Sequence, residues 1–237
     1  MSNNKGKLYL VPSPLSEREP SEVIPAPVLE LLHHIDNYVV EEERTVRRYL
    51  SRAGLKGHIE ELNFSVLNEH SSPEEVEGML SLFDNGRDVA LISEAGLPAV
   101  ADPGAALVAL CHRHDIEVCP FVGPSSLMLA LMGSGLDGQS FAFRGYLPAK
   151  SEQRKAAIRE AERLSGTLKQ TQIFIETPYR SDALFQDFLA CLMPSTRLCV
   201  AKRLCSDEQY IKTYEVSKWK SRKVLLGKEP CVFLILK

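Results

Sequence analysis

The chain has 237 residues, more than one average domain holds and enough for two modest α/β domains. With 44% hydrophobic and 25% charged residues it has the make-up of an ordinary globular protein, and no run reaches the roughly 18–20 apolar residues of a membrane helix. The net charge of −3 is unevenly spread, with 11 basic and 21 acidic side chains in residues 1–145 but 17 basic and 10 acidic in residues 146–237, so the second part offers its surface to an anionic partner.

The first seven residues carry no apolar leader, which makes a cytoplasmic protein the expectation. Leu8 to Val11 is a short apolar run stopped by Pro12-Ser13-Pro14, the pattern of a buried strand feeding a loop. The stretch to Pro27 reads as irregular, and a helix bearing Val28, Leu31, Leu32 and Ile35 follows. Tyr38-Val39-Val40 is a second strand, leading through Glu41 to Arg44 into a helix closed by Gly54. Ser72-Pro73-Glu74-Glu75 forms a capping box with proline at the first helical position, and Val76, Met79, Leu80 and Phe83 keep helical spacing until Gly86.

Val89 to Ser93 is then a strand apolar on both faces, as in a parallel sheet covered by helices. Asp102-Pro103 opens a helix to about His114, Glu117 to Val122 is a strand, and Gly123-Pro124-Ser125-Ser126 starts a helix that Gly133 ends. This alternation predicts a parallel α/β sheet in a first domain, residues 1–143. Phe141 to Pro148 reads as the crossover to a second domain, residues 144–237. There Ser151 caps a charged helix to about Ser165, Gln172 to Glu176 is a strand, and Thr177-Pro178 opens another helix. Strands at 198–203, 209–216 and 231–236 follow with little helix between them, so the second sheet is expected to be mixed.

Three segments place small or turn-forming residues after apolar strands: Pro12-Ser13-Pro14, Ser93 to Pro98, and Gly123 to Ser126. Ligands of open α/β sheets bind beyond the carboxyl ends of the strands, and small residues let the backbone approach them. A Gly-x-Gly-x-x-Gly after the first strand, a P-loop and a Gly-x-Ser-x-Gly elbow are all absent, which disfavours dinucleotide, P-loop nucleotide and hydrolase chemistry. The six cysteines are scattered and read as reduced thiols, and the histidines lack partners at ligand spacing, so no metal is expected.

Val89 to Gly104, read together with Leu8 to Pro14, Glu42-Glu43-Arg44-Thr45, Gly123-Pro124-Ser125, Gly135-Leu136, Phe143 to Pro148 and Glu176-Thr177-Pro178-Tyr179-Arg180, resembles the tetrapyrrole methylase family. The branch it resembles methylates a cytidine ribose 2′-hydroxyl in small-subunit ribosomal RNA. The resemblance implies a two-domain tetrapyrrole-methylase-like α/β fold, a homodimer, and S-adenosylmethionine in the trough between the domains. On the matching positions it implies cofactor contacts from Pro12, Pro14 and Leu15, from Glu94, Ala95, Gly96, Leu97 and Val100, and from Ser125 and Ser126, with Thr177 and Pro178 on the second-domain side. Glu42, Glu43 and Glu176 are candidates for taking a proton from the acceptor, and Arg44, Arg180 and Lys202 for orienting an anionic substrate. Where the family has Ile-Gly-Asn in its first loop this chain has Leu15-Ser16-Glu17, and Glu94 and Leu97 replace the usual Asp and Thr. RNA met by the basic second domain is the expected partner. A tetrapyrrole-like small-molecule acceptor and a non-catalytic S-adenosylmethionine-binding paralogue stay open as alternatives.

Overall fold

Alternate residues of the buried strands point to opposite faces, and in the first part of the chain both faces find an apolar partner. Tyr38, Val40, Ala90 and Ile92 pack on one side with Val28, Leu32, Val46 and Leu50. Val39, Val89 and Leu91 pack on the other with Phe83, Leu107, Leu110 and Ile116. A computed structural model describes residues 5–237; residues 1–4, where the leader-free reading begins, lie outside the described residues. The chain divides into two units, one ending at Ser125 and the other running from Ser126 to Lys237.

In the first unit the order is β1 (Leu8–Leu10), α1 (Pro20–Val23), α2 (Ala26–Leu32), β2 (Asn37–Val40), α3 (Glu43–Leu50), β3 (Asn63–Val66), α4 (Pro73–Gly78), β4 (Val89–Ile92), α5 (Ala105–Arg113) and β5 (Val118–Pro120). All pairings are parallel, in the sheet order β3-β2-β4-β1-β5. The chain leaves β1 towards β2 on one side and leaves β4 towards β5 on the other, so the strand order reverses between β1 and β4. That is a topological switch point, where an open sheet presents a crevice.

The predicted capping box is present, with Ser72 Oγ accepting from the Glu75 N–H and Glu75 returning the contact to the Ser72 N–H. Helix α3 runs on through a wide turn to Leu55, with Gly54 at φ +108°, a left-handed conformation that glycine adopts without a Cβ penalty.

The second unit contains α6 (Ser126–Ser134), β6 (Phe141–Phe143), α7 (Ser151–Leu168), β7 (Thr171–Glu176), α8 (Ser181–Cys191), β8 (Arg197–Lys202), β9 (Tyr210–Glu215), α9 (Val216–Lys220) and β10 (Cys231–Leu236). Its sheet is mixed, in the order β6-β7-β10-β8-β9, with β6 parallel to β7 and every other pair antiparallel. The expected first-parallel, second-mixed α/β architecture is therefore observed. Phe174, Phe185, Phe188, Phe233 and Trp219 fill the core, and the Trp219 indole donates to the Leu198 carbonyl at 2.8 Å.

Several details differ from the sequence expectation: Ser151 is the first residue of α7 and Lys150 its cap, and α2 ends at Leu32, before Ile35. Phe141–Phe143 is a strand rather than a bare crossover, held by its pairing to β7. Helix α7 passes through Ser165-Gly166 instead of stopping there, and ends at left-handed Lys169. Gly166 serves a close approach: a Cβ on it would lie 2.9 Å from Lys237 Cδ, and Ser165 Oγ accepts the Lys237 N–H at 3.0 Å. Finally, the stretch before Pro27 is not wholly irregular, since Pro20 opens the four-residue α1.

Candidate functional site

The loops that leave β1, β4 and β5 meet at the switch point. Ser13 and Gly96 exchange backbone hydrogen bonds, 2.9 Å from the Ser13 N–H to the Gly96 carbonyl and 3.2 Å in return. Ser13 Oγ also donates to the Ser93 carbonyl at 3.2 Å, and the buried Tyr49 hydroxyl donates to the Pro12 carbonyl at 3.1 Å. These bonds fix the first loop against the second.

Two glycines mark how closely the loops approach. Gly96 sits at φ +87°, and a Cβ there would lie 3.2 Å from Leu15 Cδ2 and 3.4 Å from the Pro124 carbonyl oxygen. A Cβ on Gly123 would lie 2.2 Å from Pro12 Cβ and 3.7 Å from Leu97 Cδ2. Thus Pro12, Leu15, Gly96 and Leu97 are brought together with the third loop, as their positions after neighbouring strands require. Pro14, Glu94 and Ala95 lie on the same loops, and Glu94 and Ala95 are exposed. Val100, further along the second loop, is also exposed. Ser125 closes the first unit and Ser126 begins α6. The glycines let the three loops pack directly against one another beyond the carboxyl ends of the strands, where open α/β sheets bind their ligands.

The carboxylates expected to take a proton have other engagements. Glu42 caps α3, accepting from the Arg44 N–H at 3.0 Å, the Thr45 N–H at 2.7 Å and the Thr45 hydroxyl at 2.7 Å. Those bonds, the Thr45 hydroxyl first, hold its carboxyl below the usual range. Glu43 pairs with Arg47 at 2.7 Å, one turn along α3. In the second unit the buried Glu176 accepts from the Thr177 N–H at 2.8 Å and the Thr177 hydroxyl at 3.3 Å. Its other oxygen, buried and too oblique for a hydrogen bond, lies 2.9 Å from Arg180 Nη2 in an ion pair. Arg180 Nη2 also donates to the Leu147 carbonyl at 2.8 Å, and Lys202 Nζ donates to the Leu226 carbonyl at 2.5 Å. Thr177 and Pro178 therefore sit on a strand end braced by an acid–base pair.

Sequence reasoning passed over Glu41, Ser93 and Asp102 as site residues. Val40 pairs with Ile92, so Glu41 and Ser93 leave the sheet side by side. Glu41 accepts from the Glu94 N–H at 3.3 Å, and burial, ahead of its neighbours, pushes its carboxyl above the usual range. Asp102 Oδ1 accepts from the Ala99 N–H at 3.1 Å and the Gly104 N–H at 2.6 Å. The signal available in sequence for Glu41 and Ser93 was position alone, the first residue after a buried strand; Asp102, ten residues beyond β4, carried no such mark.

An open groove of about 540 Å³ runs along α3, lined by Arg44, Arg47, Arg48, Ser51, Lys56 and Glu60 among others. Arg47 is spent on Glu43 and on Glu60 at 3.1 Å, and stacks over Phe64 at 4.7 Å. Arg48 and Lys56 have no ion-pair partner among the described residues. In the second unit, Tyr179 follows Pro178 with 83% of its surface exposed, and Lys228 Nζ lies 5.7 Å from its ring centre. Among the described residues no group of three or more metal-ligating side chains is clustered, and no helix is long and apolar enough to cross a membrane.

Fold and loops together define a class of protein. The structure is similar to the methyltransferase CobJ, with a TM-score of 0.66 at 16% identity over 98% of this chain and 94% of that one. It is also similar to uroporphyrin-III C-methyltransferase from Thermus thermophilus complexed with S-adenyl homocysteine, with a TM-score of 0.60 at 16% identity over 98% of both chains. At those identities the likeness is one of fold: the two-domain tetrapyrrole methylase architecture. No protein-family model matches the chain.

Sequence relatives narrow the class. The chain is 30% identical over 204 residues to ribosomal RNA small subunit methyltransferase I of Haemophilus influenzae, covering 86% of this chain and 68% of that protein. It is 32% identical over 202 residues to the protein of that name from Escherichia coli O157:H7 and 34% identical over 204 residues to that of Micromonospora olivasterospora. Those matches cover 85% and 86% of this chain but 66% and 61% of the relatives, so the chain spans somewhat less than two thirds of their length. The chain belongs to the ribosomal RNA small subunit methyltransferase I family.

Proposed function

We propose that the protein is an S-adenosylmethionine-dependent methyltransferase whose acceptor is a ribose hydroxyl of ribosomal RNA. The observation that carries this reading is the meeting of three strand-end loops around Gly96 and Gly123 at the sheet's switch point. We assign the cofactor to Pro12, Pro14 and Leu15, to Glu94 through Leu97 with Val100, and to Ser125 and Ser126; for Thr177 and Pro178 the support is the sequence resemblance alone. When bound, the sulfonium supplies an already activated methyl group. The chain's own task is then to align donor and acceptor, an effect worth on the order of 7–11 kcal/mol in well-oriented reactions. Backbone groups of the first and second loops hold the donor. The strand end at Glu176 and Thr177 is braced by the ion pair of Glu176 with Arg180.

Acceptor binding rests on cations and an aromatic ring. Arg44, Arg48 and Lys56 line the groove on α3, where phosphates of an RNA strand find charge left unpaired by the local carboxylates. Tyr179 offers a face on which an unpaired base can stack. The second unit, with 18 basic and 11 acidic residues, adds sequence-independent attraction. A homodimer, which the sequence resemblance implies, and a cytoplasmic setting are part of this proposal.

Titration calorimetry with S-adenosylmethionine, followed by a tritiated-methyl assay on ribosomal RNA from cells lacking the protein, tests the reading. Heat of binding and label at a ribose support it. Binding without label in RNA fits a small-molecule methyltransferase or a non-catalytic paralogue instead.

A further inference from the structure

The second loop is unusual in its backbone. Ala99 and Ala101 both sit in the left-handed region, at φ +64° and +57°, where a Cβ is crowded. Asp102 holds this segment by accepting from the Ala99 and Gly104 amides through Oδ1. Its other oxygen, Oδ2, is buried and has no donor among the described residues. A buried carboxylate oxygen without a donor is costly. Glu41 leaves β2 beside Ser93 with its Oε2 accepting from the Glu94 amide at 3.3 Å, and Asp102 is among the neighbours that raise its carboxyl above the usual range, after burial. Two ionised carboxylates in contact repel each other, and one shared proton relieves that repulsion. The ionisable groups facing Glu41 are Asp102 and Glu94, both acids, from the loop after β4.

We propose that Glu41 is a positioning residue whose protonated carboxyl donates to Asp102, clasping the second loop at Glu94 and at Asp102 in the shape that receives the cofactor. The inference rests on the proposed cofactor site for its functional consequence, but the clasp itself is independent of any ligand. The proton is held while pH lies below the raised value of Glu41 and is lost as pH rises through it. Above it the two carboxylates repel and the left-handed alanines lose their restraint. Glutamine in place of glutamate keeps both bonds, since its carbonyl accepts from the Glu94 amide and its NH2 donates to Asp102, but it cannot titrate.

Two measurements on the full chain test this. In carboxyl-carbon NMR, assigned by its loss in Glu41→Gln, Glu41 should titrate above the ordinary glutamate range, and titration within that range would overturn the clasp. S-adenosylmethionine affinity should fall about tenfold as pH rises through that midpoint. Glu41→Gln should hold wild-type low-pH affinity at every pH, and Glu41→Ala should be weakened about tenfold throughout. A Glu41→Gln profile that still follows pH, or an undiminished Glu41→Ala, contradicts the positioning role. If the wild-type chain binds no S-adenosylmethionine at any pH, the proposed function fails while the NMR titration still decides the clasp.

Discussion

Gly123→Ala separates the cofactor loops from the rest of the fold. Gly123 does not occupy the left-handed region, so alanine carries no backbone penalty there, unlike at Gly96. The added methyl would lie 2.2 Å from Pro12 Cβ and 2.4 Å from Pro12 Cγ. Carbon pairs rest about 3.5–4.0 Å apart, so the first and third loops must separate by roughly 1.3 Å or more. The proline ring cannot rotate away, and the displacement passes to the loop backbones. Both loops lie beyond the strand ends, so we expect stability to fall by only about 1 kcal/mol, a Tm shift of about 2–4 °C for a chain of this size. A displacement of about 1 Å at a positioned ligand is worth up to a hundredfold, and S-adenosylmethionine affinity by calorimetry should drop by about ten- to a hundredfold. Gly138→Ala, where a Cβ meets nothing within 4 Å, is the control and should change neither quantity. Wild-type affinity in Gly123→Ala, with the expected small Tm shift, would refute the placement of the cofactor at the junction of these loops.

Replacing Arg44 and Arg48 together by glutamine should lower the slope of log K against log salt for ribosomal RNA binding by about two, leaving S-adenosylmethionine affinity intact. Tyr179→Ala should weaken single-stranded RNA by about 1–3 kcal/mol in filter binding, with Tm unchanged because the ring is exposed. Glu176→Gln removes a buried charge that braces Arg180 and should cost about 1–3 kcal/mol in urea unfolding. An unchanged urea midpoint with slowed turnover would instead return Glu176 to the role of base. Glu42→Ala should lose the α3 cap, about 1 kcal/mol, and that loss should shrink as pH falls through the lowered value of Glu42, where the wild type loses the charged cap too.

Where one physical signal dominated, the chain could be read directly. Val89 to Ile92 is apolar at every position because both faces of β4 are covered, and Ser72 with Glu75 spells its own cap. The close succession of β8, β9 and β10 pointed to a second sheet that is not purely parallel. The three loops were legible as loops because proline and glycine stop strands. Their convergence depended on strand order, which no local pattern encodes. Gly166 read as a stop because its real reason, the approach of Lys237, lies 71 positions away. The carboxylates were read by motif, and Glu42 proved to be a cap while Glu41, one place earlier, faces Asp102. A one-residue register decides which acid enters a helix and which faces a loop, and only the paired strands fix that register.

Amide hydrogen exchange of the full chain with and without S-adenosylmethionine addresses the central claim most directly. Saturable protection concentrated at residues 12–17, 94–104 and 123–128 is the predicted result. Saturable binding that protects other segments and leaves these three unchanged would contradict the account.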